Sequence, residues 1–184
     1  MTAVTGAVVL WAHPGGTAAS GTAATGTTPS ASSQATRRQA AVRLSGLLAQ
    51  SVTDRAAVID AVVDVRSCGP SLHQDVRIFT RAASSRRYLL SRLGSLPGRS
   101  LLPAAMLHDL AGAWQASAEA DTDLARWAAG KIARGCHRNG GSDASLRASY
   151  VPDSRATTDK QAFTSLWNPV ARQYGLTTYQ WYHL

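Results

Sequence analysis

Two cysteines and five polar residues on otherwise apolar helix faces are the residues of this chain whose types and spacing could do chemistry. Cys68 and Cys136 are the only cysteines. A disulfide between them would close a loop of 67 intervening residues and restrict the unfolded chain by about 4 kcal/mol on the chain-entropy estimate. Two buried, unpaired thiols are the alternative. His73 and His137 would stand at the same end, but Cys68-x4-His73 and the adjacent Cys136-His137 match no zinc-finger spacing, so no metal site is read here. The second group is Ser51, Arg55, Arg86, Ser117 and Asp121, each at a position where its helical repeat calls for an apolar side chain. An unpaired buried charge is expensive, so guanidinium–carboxylate pairing is the economical interpretation. Three roles fit such a set: a polar layer that fixes helix register, arginines that snorkel to the solvent edge, or an anion site between helices. No paired carboxylates, no Ser–His couple and no activated cysteine accompany them, so no catalytic residue and no cofactor are assigned.

The elements that must position these residues are helices. Leu44, Leu48, Ser51, Arg55, Val58, Val62 and Val65 follow steps of four and three, the seam of a packed helix. Thr53-Asp54 could split that helix in two, and Gly69-Pro70 ends it. Leu72, Val76, Phe79, Ala83, Arg86, Leu90 and Leu93 repeat the rhythm until Leu96-Pro97-Gly98. Pro103 opens a third helix with Leu107, Leu110, Trp114, Ser117, Asp121, Leu124 and Ala128 on one side. The Gly-, Ser- and Asn-rich stretch from Gly135 to about Ser154 reads as irregular. A fourth, shorter helix carries Phe163, Leu166, Trp167, Val170 and Tyr174 and stops at Gly175. No stretch alternates as a strand does. The expected fold is all-α, an elongated up-down bundle of three long helices and one shorter C-terminal helix. In that arrangement Cys68 and Cys136 close the first and third helices at one end, and the pair points to an oxidising compartment.

Residues 1–34 contain no Lys, Arg, Asp or Glu, and His13–Gln34 is almost entirely Gly, Ala, Ser, Thr and Pro. Such a segment cannot bury a core, so residues 1–34 are expected to be a disordered linker and 35–184 the helical domain. Val4–Ala12 is short and apolar with no basic residue before it. It reads as the remnant of a signal or anchor segment beginning upstream, with a cytoplasmic tail as the alternative. The net charge is +8 with a pI near 10.3, and all but Lys131 and Lys160 of the 19 basic residues are Arg. A basic chain meets anionic polymers and surfaces readily. After the helix stop, Tyr179, Trp181 and Tyr182 either fold back onto the bundle or form an exposed patch for a partner.

Three stretches carry a resemblance: Ser67-Cys68-Gly69-Pro70-Ser71-Leu72; Ala113-Trp114-Gln115-Ala116-Ser117 through Asp121; and Ala162-Phe163 through Trp167-Asn168-Pro169 to Gly175-Leu176. As a set they resemble a group of uncharacterised, membrane-anchored or secreted helical proteins of high-GC Gram-positive bacteria. The likeness covers about residues 38–180. It implies a helical extracytoplasmic domain and carries over no activity and no functional residue. The functional expectation is a non-enzymatic extracytoplasmic module, secreted or membrane-anchored, that binds a protein or an anionic cell-envelope component. One alternative is a cytoplasmic nucleic-acid-binding protein, for which the charge and the pairs Arg37-Arg38 and Arg86-Arg87 speak. Their scatter over every helix, interleaved with Asp, speaks against it. The weakest alternative is an enzyme, for which only the irregular His137–Ser154 stretch offers a lid or site.

Overall fold

A computed structural model describes residues 31–136 and 143–184. Among the described residues there are four α-helices: α1 (Ala31–Ser67), α2 (Leu72–Gly94), α3 (Ala104–Arg134) and α4 (Ala144–Tyr174). Short 3-10 turns lie at Arg99–Leu101 and Trp181–His183, and there is no strand among the described residues. The all-α bundle expected from the repeat is the fold. At about 1.5 Å per residue, the 31-residue α3 and α4 are each about 46 Å long. α1 lies along α2, α2 along α3 and α3 along α4, whereas α1 and α4 touch only sparsely.

Two boundaries differ from the sequence reading. α1 runs unbroken through Thr53, because that hydroxyl donates to the Ala49 carbonyl one turn back (3.3 Å) instead of capping a new helix. α4 begins at Ala144, not after Ser154, and is as long as α3, so it is not the shorter helix. The Asp143 side chain caps it by accepting from the Ser145 backbone N–H (3.1 Å) and pairs with Arg134 of α3 (2.7 Å). Pro152 sits inside the helix, where it forfeits one backbone bond. It lies on a continuous buried face with Ser149, Ala156, Lys160, Phe163 and Trp167, so packing on α3 outweighs the local preference. The linker reading of residues 1–30 falls outside the described residues, and residues 31–34 belong to α1.

The connections are short, which makes consecutive helices antiparallel. The α2–α3 connection turns at Gly98, where φ is +79° and an added Cβ would stand 3.1 Å from the Ala40 Cβ of α1. At the other end Cys68 (Cα 5.6 Å from Cα) and Cys136 form a disulfide that joins the end of α1 to the end of α3. After α4, Gly175 adopts the left-handed conformation and Leu176 N–H bonds back to Ala171 O (2.8 Å). The final residues fold back onto the bundle. Asn168 exchanges two 2.9 Å hydrogen bonds with the Tyr179 backbone, Trp167 Nε1 donates to Thr177 O, and Leu184 is buried.

Candidate functional site

The core is not continuous. One apolar cluster, around Leu44, Leu48, Met106, Trp114, Phe163 and Trp167, fills the end at the α2–α3 connection. A second, around Val58, Val65, Phe79, Leu124 and Trp127, fills the disulfide end. Between them lies a band of buried polar side chains: Ser51 of α1, Arg86 of α2, Ser117 and Asp121 of α3, and Lys160 of α4. Each occupies a seam position of its helix, so the same periodicity that builds the apolar clusters also brings these groups together.

Part of the band is satisfied internally. Arg86 Nη1 donates to the Ser51 hydroxyl and, at 3.3 Å, to the Ser51 carbonyl. Trp114 Nε1 donates to the same hydroxyl (3.0 Å). Arg86 Nε stands 3.8 Å from Asp121 Oδ2, an ion pair too long for a hydrogen bond. Both of those atoms, and Ser117 Oγ, have no hydrogen-bond partner within the protein. Lys160 is only 3% exposed. Buried polar groups are normally bonded, so an unsatisfied cluster calls for an explanation.

That cluster opens into a cleft of about 300 Å³ where α1 and α4 draw apart. Arg86, Ser117, Asp121 and Lys160 line its polar part, joined by Arg55 of α1 and Asp153 of α4. Val58, Val62, Leu124 and Leu146 line its apolar part. Ile59, Val63 and Tyr150, large side chains about half exposed or more, stand along the same walls. A concave, largely apolar cleft with a few convergent polar groups is the usual form of a small-molecule site.

The electrostatics follow from burial. Desolvation pushes the Asp121 carboxyl up to about 6, and the attraction of Arg86 and Lys160 offsets it only in part. Desolvation, aided by repulsion from Arg55 and Arg86, lowers the Lys160 ammonium to about 7. Arg86 is lowered from its ordinary value by burial, against the pull of Asp121. Burial thus brings the titration of both Asp121 and Lys160 toward neutral pH, beside a guanidinium.

Of the five polar seam residues singled out from sequence, Ser51, Arg86, Ser117 and Asp121 meet in this band. Arg55 is half-buried at the cleft wall and donates from Nε to the Tyr182 carbonyl (2.8 Å), so it ties the C-terminal turn to α1 and makes no ion pair with Asp121. Tyr179 and Trp181 are half-buried against the bundle, and Tyr182 is 49% exposed. The sequence reading does not single out Lys160, which lies on the α4 seam and is one of only two lysines in the chain. His73 is exposed, His137 lies outside the described residues, and no cluster of three His, Cys, Asp or Glu among the described residues could hold a metal ion. No described helix is long and apolar enough to cross a membrane. Compared with protein-family models, curated proteins and solved structures, the chain matches none, so the reading of the cleft rests on its own geometry.

Proposed function

We propose that this protein is a non-enzymatic extracytoplasmic helical module whose α1–α4 cleft binds an anionic component of the cell envelope. The observation that carries the reading is the buried Lys160 beside Arg86 at the polar end of an open cleft. Two desolvated cations there offer more to an anion than either would on the surface. The Cys68–Cys136 disulfide supports the compartment, since such bonds persist where the surroundings are oxidising.

The test is purification from the protein's own cells after fractionation. The protein should come from the fraction outside the cytoplasm with its disulfide formed, and native mass spectrometry should show one anionic organic molecule bound. Lys160→Met should lose that molecule while keeping the disulfide. A reduced, ligand-free protein confined to the cytoplasm would refute the proposal.

A further inference from the structure

We propose that the ligand of the cleft is an amphiphile with a single carboxylate, its head between Lys160 and Arg86 and its chain along Val58, Val62, Leu124 and Leu146. This rests on the cleft being an anion-binding site, the reading given above. It adds what kind of anion fits.

The first argument is charge. Arg55 and Arg66 of α1, Arg86 of α2 and Lys160 of α4 line the cleft with Asp121 of α3 and Asp153 of α4. Asp54 of α1 also acts on Arg86 and Asp121. With Lys160 protonated and Asp121 ionised, four cations against three carboxylates leave one positive charge, which a monoanion balances. A dianion would bring surplus negative charge against Asp121 and Asp153, and a cation would meet Lys160 and Arg86 without water to screen it. The second argument is hydrogen bonding. Arg86 Nε and Ser117 Oγ are buried and have no partner within the protein, and the Lys160 ammonium lines the same space. A carboxylate accepts through two oxygens, the number that a guanidinium edge and an ammonium can share.

The third argument is shape and polarity. Away from Lys160 and Arg86 the lining is mainly aliphatic, with Ser149 of α4 among it, as far as the half-exposed Ile59 and Tyr150 and Arg66, one turn beyond Val62. A volume of about 300 Å³ holds about ten groups of water size at roughly 30 Å³ each. Decanoate is of about that size and serves as the probe. Buried polar groups reject a ligand that leaves them unpaired, so decanol should be a poor substitute.

Isothermal titration of the intact, oxidised protein with decanoate, decanol, decyl phosphate and decyltrimethylammonium tests the assignment. Decanoate should bind one per chain, at least about tenfold more tightly than decanol. Its affinity should fall about tenfold from pH 6 to pH 8, because Lys160 loses its proton across that range while Asp121 gains its charge. Two buffers of different ionisation heat should report net proton uptake at pH 7.5. Lys160→Met should weaken decanoate at least tenfold and abolish that uptake, with folding checked by circular dichroism. Ile59→Asp, at an exposed position along the cleft, should weaken decanoate by placing a negative charge beside the chain while leaving the fold intact. Equal binding of decanoate and decanol, or a Lys160→Met variant that binds decanoate as the wild type does, overturns the proposal. Tighter binding of decyl phosphate overturns the carboxylate while the anion-site reading stands. Failure of both anionic probes to bind removes both readings together.

Discussion

Replacing Lys160 by methionine should make the protein more stable, and the gain should depend on pH in a way that the structure fixes in advance. Methionine keeps the unbranched chain and removes the charge. In the native state burial and the neighbouring Arg55 and Arg86 lower the ammonium from 10.5 to about 7. A base lowered on folding opposes folding: the penalty is complete below about pH 7 and fades as pH rises toward 10.5, because in that interval the unfolded chain holds the proton that the native state releases. Carried through linkage at 1.36 kcal/mol per pKa unit, the two values correspond to about 4 kcal/mol of penalty at pH 7 and about 2 kcal/mol at pH 9. Wild-type stability should therefore rise by about 2 kcal/mol between pH 7 and pH 9. The carboxyls of Asp75 and Asp121, both raised to about 6, have largely completed their titration below that window. Lys160→Met should be more stable at pH 7 by at least about 2 kcal/mol, since exchanging buried charge for apolar volume is often stabilising, and its profile over pH 7–9 should be flat. Urea titrations followed by circular dichroism at pH 7, 8 and 9 measure both quantities. A variant no more stable than the wild type, or one with the same slope, would refute the reasoning. Set against a total stability of about 5–15 kcal/mol for a typical domain, such a cost is large, and it is what the proposed anion site would require Lys160 to carry.

Three further outcomes are expected. Joint Cys68→Ser and Cys136→Ser substitution releases a closure with a sequence separation of 68 and should cost about 4 kcal/mol; the melting temperature should drop by about 10 °C with most helix retained, and melts insensitive to reductant would contradict this. Asp121→Ala leaves Arg86 buried without its carboxylate and should destabilise by about 3 kcal/mol or more; a change of a few tenths in a denaturant titration would show the pair to be of little consequence. Gly98→Ala meets both a φ of +79° and the Ala40 Cβ at 3.1 Å, so it should destabilise by about 1–2 kcal/mol, and an unchanged melting temperature would count against the close approach of α1 there.

Periodicity in the sequence determined the helices, because a helix that packs must repeat its apolar residues every three to four positions whatever its neighbours are. The seams from Leu44 to Val65, Leu72 to Leu93 and Leu107 to Ala128 mark α1, α2 and α3, and the short Gly/Pro connections make them antiparallel. The same arithmetic placed Cys68 and Cys136 at one end, where the disulfide lies, and set Ser51, Arg86, Ser117 and Asp121 facing inward. Local composition is outweighed by packing over residues 144–154: Ser145, Ser149, Pro152 and Ser154 read as part of a loop, yet α3 offers that segment a surface on which it is helical. Only the tertiary structure decided that α1 and α4 stand apart, because the distance between the first and last helices depends on the side chains of all four together. That separation turns a band of polar residues into the end of a cleft. It also decided that Arg55 bonds to the Tyr182 carbonyl instead of Asp121, and that Lys160, a single seam position on α4, is a second buried cation within reach of the fields of Asp121 and Asp153. A one-dimensional repeat tells which face of a helix turns inward; which groups then meet, and whether they satisfy one another, is a property of the assembled bundle.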